Sequence, residues 1–121
     1  MALEKTQTTT ANGLTVVTYD NIDSDDSAPT AIELGRKGGQ APTTGVHGFF
    51  QVEGTFGGAT AKLQGSNDNT NWADLDIAYT STALAVTAAG GAEFIASCRY
   101  IRPLVTGGTS EDLNIHISFV Q

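Results

Sequence analysis

A single cysteine, Cys98, in a chain of 121 residues rules out an intramolecular disulfide, and its plain reading is a small buried hydrophobe. Basic residues are also few. Six Lys and Arg stand against 13 Asp and Glu, giving a net charge of −7. A groove that tracks nucleic-acid phosphates needs clustered cations. Lys5, Arg36, Lys37, Lys62, Arg99 and Arg102 are scattered instead, so no nucleic-acid partner is expected. No apolar run approaches the roughly 18 residues of a membrane span, so no membrane partner is expected either. No window of about 12 residues repeats its apolar positions every 3.6 residues, which leaves little room for helix. The opening Met1–Thr6 has no apolar centre of the kind a signal peptide carries. Synthesis in a reducing cytoplasm, with no export signal of its own, is the expectation.

What the chain does have is glycine, 14 of them, set among Thr, Ser, Val and Ala. The stretch from Phe50 to Trp72 is the most explicit. Phe50, Val52, Gly54 and Phe56 alternate with Gln51, Glu53 and Thr55, the period of an extended strand. Gly57-Gly58 then supplies the two positive φ angles of a tight hairpin turn. Ala59, Ala61, Leu63 and Gly65 alternate with Thr60, Lys62, Gln64 and Ser66 on a return strand expected to pair with the first. Asn67 to Asn71 reads as an Asx turn, and Trp72 opens the next segment as a core anchor.

The rest follows the same grammar. Residues 1–12 are polar and Thr-rich, too poor in apolar side chains to enter a core. They read as an extended arm, disordered or ordered only against a neighbour. Residues 13–121 form one domain. Asn12-Gly13 is a turn and Leu14–Tyr19 a strand. Asp20, Asp23, Asp25 and Asp26 mark an exposed loop, and Thr30–Leu34 is a short strand. Gly35–Gly45 is a long loop holding Arg36 and Lys37, long enough to be mobile or functional. Trp72–Tyr79 alternates Leu75, Ile77 and Tyr79 as a strand, and Leu84 and Val86 mark another. Ala88–Ala92 is a turn, and Phe94 to Cys98 is a strand or one helical turn. Arg99–Thr106 carries Pro103, which places it at an edge or a bulge. Leu113, Ile115, Ile117 and Phe119 alternate along the last strand. About eight short strands make an all-β antiparallel sandwich or jelly roll. Val52, Phe56, Leu63, Trp72, Leu75, Ile115 and Ile117 are its expected core.

Chemistry is sparse. His47 and His116 lie in no motif, and two isolated histidines with a lone Cys98 make no zinc site. Asp23–Asp26 reads as a solvated acidic loop, with calcium the sharper alternative. No catalytic constellation and no cofactor is expected.

Two resemblances rest on the same residues. Gly54–Trp72, followed by Arg99-Tyr100-Ile101-Arg102-Pro103 and Thr106-Gly107-Gly108-Thr109, resembles a family of small tailed-bacteriophage head decoration (cement) proteins. The resemblance covers about residues 46–120. It implies a non-enzymatic virion protein, made in the host cytoplasm, that coats the outer capsid surface and bridges capsid subunits. Its partners would be the major capsid protein and itself, as a homo-oligomer with a trimer favoured. The contact elements would be the arm (Leu3, Glu4, Lys5, Thr6, Gln7, Thr8, Thr9, Thr10) and Arg36 and Lys37, while Gly57, Gly58, Trp72, Arg99 and Arg102 would be structural. Arg102 either pairs with Asp74 or Asp76 near Trp72 or faces solvent. The Gly65–Trp72 turn with the later Arg-Tyr-Ile-Arg strand is also similar to discoidin-type (coagulation factor 5/8 C) domains and related carbohydrate-binding modules. This chain is shorter and lacks that family's N-terminal aromatic-rich strands and metal loop. That resemblance implies a glycan-binding jelly roll.

Overall fold

The computed structural model describes residues 6–11, 14–25, 29–34 and 46–120. Within them the chain is all β, with ten strands: β1 (Thr6–Ala11), β2 (Leu14–Ile22), β3 (Ile32–Glu33), β4 (Val46–Thr55), β5 (Ala59–Ser66), β6 (Ala73–Asp74), β7 (Ala85–Val86), β8 (Gly90–Ala96), β9 (Tyr100–Gly107) and β10 (Asp112–Val120). They form two antiparallel sheets. One has the order β1-β2-β10-β4-β8, and the other β3-β9-β5-β6 with β7 also on β5. From β2 onward the chain changes sheet at nearly every connection, which is the wrapping of a jelly roll.

Alternation decides which side chains fill the space between the sheets. Tyr19, Ile22, Phe50, Val52, Leu63, Phe94, Ile101, Leu113, Ile115, Ile117 and Phe119 are almost wholly buried. Burying one such side chain is worth about 1.5–3 kcal/mol, whereas an exposed ion pair rarely exceeds about 1 kcal/mol. Packing of the two inner faces therefore holds the fold. Tyr19, buried whole, donates its hydroxyl to the Thr30 carbonyl, so its polar end is satisfied. Leu63 and Val52 are core as expected, but Phe56, Trp72 and Leu75 are only half-buried.

The Gly57-Gly58 turn differs from expectation in an instructive way. Its local form is as read: both φ angles are positive (56° and 87°), and the Ala59 amide donates to the Phe56 carbonyl at 2.8 Å. Yet β4 and β5 do not pair with each other. β4 pairs with β10 and β8, and β5 pairs with β9, β6 and β7. The turn carries the chain from one sheet to the other. Beside it, Gly107-Gly108 carries the paired strand back from β9 to β10. The ribbon of β4 against β10 thus folds over a glycine corner and continues as β5 against β9. Alternation along a strand is blind to which strand lies next to it, so sequence reading paired the nearest neighbours.

Three other segments also differ, while Pro103 sits as expected. Thr6–Ala11 of the arm is a strand, paired with β2 from Thr6↔Tyr19 to Ala11↔Leu14, because ladder bonds use backbone groups and need no apolar side chains. Trp72–Tyr79 yields only β6 and an isolated bridge from Asp76 to Ala83; Tyr79 takes a positive φ of 63° and is 85% exposed. Phe94 belongs to β8, a strand rather than a helical turn, and that strand begins at Gly90 inside the expected Ala88–Ala92 turn. Pro103 pairs with Leu63 on the β5 side, while β3 reaches only Ile101 and Tyr100, so its missing N–H falls at a locally open edge. The Asn12-Gly13 turn and the Gly35–Gly45 loop lie outside the described residues.

Candidate functional site

The outward faces of the two sheets gather different chemistry. On the five-stranded sheet, β2, β10 and β4 bring Thr18, His116 and Glu53 into line. His116 Nδ1 lies 3.1 Å from Thr18 Oγ1, and Nε2 lies 2.8 Å from Glu53 Oε2. A carboxylate only accepts, so Nε2 carries the hydrogen of the contact with Glu53, while Nδ1 faces a Thr18 hydroxyl that can donate or accept. Hydroxyl, imidazole and carboxylate in sequence are the elements of a nucleophilic triad. Catalysis also needs N–H donors for a developing oxyanion. Here β10 is a central strand, with His116 opposite both Thr18 and Gln51, so the adjoining backbone is engaged in ladders. The arrangement is a cross-strand polar ladder tying three strands together. Sequence reading left His116 solvated because its partners lie 98 and 63 residues away.

On the other sheet, the half-buried outward positions of β5 and β9 form a connected network around Trp72. The Arg102 guanidinium carbon sits 4.2 Å from the Trp72 ring centroid. Arg102 Nε donates to Gln64 Oε1 at 3.1 Å, and Gln64 Nε2 donates to Asp74 Oδ1 at 3.0 Å. Lys62 Nζ stands 3.6 Å from Asp74 Oδ2. The expected pairing of Arg102 with Asp74 or Asp76 is therefore not made: Lys62 and Gln64 already occupy Asp74, and register sets Arg102 opposite Gln64. Burial pushes the Arg102 guanidinium below its ordinary pKa. Trp72 stacks under a cation at the sheet surface instead of anchoring the interior.

At the end of this face Arg99 bonds Glu33 Oε2 through Nε (3.0 Å) and Nη2 (2.8 Å), with its guanidinium 5.3 Å from the Tyr100 ring. That hydrogen bond to Glu33 raises the Arg99 pKa. The turn between β5 and β6 is organised by Asp68, which accepts from the Asn71 and Thr70 amides, the Asn71 side chain and the Ser66 hydroxyl. These donors, the Asn71 amide first, hold its carboxyl far below the usual range. It is the Asx turn that the sequence writes.

In the acidic loop the Asp25 amide bonds Asp23 Oδ1, and the Ser24 amide bonds Glu111 Oε2 at 2.8 Å. Asp26 lies outside the described residues. Among the described residues no three or more His, Cys, Asp or Glu are grouped to hold a metal ion. Of the expected contact residues, Thr6–Thr10 lie in β1 at the edge of the five-stranded sheet, and Leu3, Glu4, Lys5, Arg36 and Lys37 lie outside the described residues. Gly57 and Gly58 form the corner, while Trp72, Arg99 and Arg102 share the outward face of the second sheet. Lys62, Gln64 and Asp74 join them there, unmarked as site residues by sequence. The available signal was alternation, which points Lys62 and Gln64 the same way as Arg102. No protein-family model matches this chain, and no curated protein matches it.

Proposed function

We propose that this chain is a structural virion protein, a decoration protein that binds the outer surface of a bacteriophage head and stabilises the shell by bridging capsid subunits. It assembles with copies of itself and carries out no reaction. The observation that supports this reading most is β1. Among the described residues it is the outermost strand of its sheet, and Thr6–Ala11 contains no charged residue and no proline. Those are the devices that commonly keep an edge strand from pairing with another chain. Left without them, a strand edge offers a row of backbone N–H and C=O groups to a partner strand. A jelly roll with a bent, glycine-cornered ribbon is compatible with this role but does not by itself imply it.

The second reading, a glycan-binding module, needs an open aromatic face for a sugar ring. The Arg102 guanidinium lies against one face of Trp72, which counts against it. The test of the decoration reading is sedimentation with heads stripped of this chain. Full-length protein cosediments, and protein lacking residues 1–12 stays folded but binds heads or its sister copies more weakly. A truncated protein that decorates heads at full affinity and keeps its oligomeric state removes the role given to β1.

A further inference from the structure

Arg102 stands apart from the other described cations. Lys62 is paired with Asp74 and Arg99 with Glu33, but Arg102 has no carboxylate of the described residues within ion-pair distance. It is also held in place. The guanidinium carbon lies over the Trp72 ring, 4.2 Å from its centroid, and Gln64, itself tied to Asp74, accepts from Nε at 3.1 Å. The ring contact and the Nε bond together hold the guanidinium in place over the sheet. Holding a long side chain this way costs rotamer entropy, and half-burying its charge costs solvation. The cation–π contact offsets only part of that. With Nε committed, the two Nη groups remain as oriented donors, the arrangement that receives a carboxylate end-on.

We propose that Arg102, seated on Trp72, anchors a protein–protein contact by receiving an Asp or Glu carboxylate of the partner through its two Nη groups. The proposal rests on the capsid-binding reading, in which the partner is the shell protein. Charge carries the choice of ligand: the Lys62–Asp74 and Arg99–Glu33 pairs are internally neutral, so this patch presents one uncompensated positive fork. Residue type carries the choice of a protein partner. Arg102, Trp72 and Tyr100 are of the kinds that dominate interface hot spots, and Leu104 extends the same outward row of β9. Tyr100, Arg102 and Leu104 line one strand, β9, and Trp72 just before β6 reaches them across β5, and the flanking ion pairs supply a polar rim.

The test has two arms. In the first, isotopically labelled protein is titrated with an acetylated, amidated Gly-Glu-Gly peptide and with its Gly-Gln-Gly counterpart. The signals followed are the indole N–H of Trp72, the only tryptophan, and the Nε–H of Arg102. Both signals move with the Glu peptide and not with the Gln peptide. Arg102→Lys, which keeps the charge and loses the fork, abolishes the response while leaving the melting temperature close to that of the parent. In the second arm, parent and Arg102→Lys proteins are sedimented with stripped heads, and the variant binds roughly tenfold more weakly or worse.

Signals that ignore the Glu peptide, or follow both peptides equally, overturn the proposal whatever the heads do. A variant that binds heads as tightly as the parent overturns it too. A response to the Glu peptide in a protein that never binds heads upholds the carboxylate site and removes the capsid reading. A parallel titration with glucuronate that moves the signals, when the Glu peptide does not, overturns the protein partner in favour of an acidic sugar.

Discussion

The amide of Thr109 donates to the carbonyl of Gly57 at 2.9 Å, and this one bond joins the two turns over which the β4–β10 ribbon becomes the β5–β9 ribbon. The corner leaves no room at Gly57. A Cβ built there meets the Thr109 carbonyl oxygen at 2.2 Å, whereas one built at Gly58 meets nothing within 4 Å. Both positions need a positive φ, so Gly58→Ala is expected to cost about 1–2 kcal/mol. Gly57→Ala is expected to cost about 1–3 kcal/mol more, because backbone rather than a flexible side chain must move. Gly58→Asn should be milder than Gly58→Ala, since asparagine tolerates this conformation. Denaturant midpoints of the three variants check the order. Equal losses at Gly57 and Gly58 would show that the two turns are not pressed together.

Asp68 gives the turn a defined pH response. Its carboxyl is held low by the Asn71 and Thr70 amides, so its folded pKa lies below its unfolded one. Stability from such a group is fully present above the unfolded carboxyl range and is lost as pH falls through that range toward the folded value. Asp68→Asn should therefore be less stable than the parent at neutral pH, with the gap narrowing steadily in acid. Urea midpoints at several pH values measure it. A gap that widens in acid would contradict the hydrogen-bond account.

The strand period was legible because each inner face was written in single residues: Leu113, Ile115, Ile117 and Phe119 are buried and the residues between them are not. The Asx turn was legible for the same reason, its chemistry being confined to Ser66–Asn71. Strand pairing was not. Nothing within Phe50–Gln64 says that β5 lies against β9, because that choice is made by a ribbon some forty residues onward and by the bond from Thr109 to Gly57. The Trp72–Arg102 stack was hidden likewise. Opposite charge suggested Asp74 as the partner of Arg102, but register set Gln64 opposite it and gave Asp74 to Lys62.

Cys98 is half-buried, its thiol pKa raised by desolvation, and it donates to the Tyr100 carbonyl at 3.3 Å. A thiol held in its protonated form is a poor nucleophile. Native protein should react slowly with a disulfide reagent at neutral pH, and unfolded protein quickly. The same packing predicts that Gly65→Ala is destabilising, since its Cβ meets Cys98 Sγ at 2.6 Å and Leu75 at 3.1 Å. A cost of about 1–3 kcal/mol is expected from overpacking. Fast labelling of the folded protein would show that this thiol is not covered.

Arg99 and Glu33 make short contacts, yet both are more than half exposed. Glu33→Gln should change stability by less than about 1 kcal/mol, an effect reduced further by salt. Phe50→Ala, which opens the centre of the core, should cost about 3–5 kcal/mol. Thermal melts of the two variants side by side compare surface with interior. A larger loss from Glu33→Gln would overturn the view that packing of the two inner faces holds the sandwich.

The proposed decoration role is tested most directly by the copy number of this chain in purified virions of its proposed source, a tailed phage, counted by quantitative mass spectrometry against the major capsid protein. A shell-coating protein repeats with the symmetry of the shell, so copies on the order of hundreds per particle are expected. A handful of copies would assign the chain to a tail or fibre, and its absence from virions would contradict the account outright.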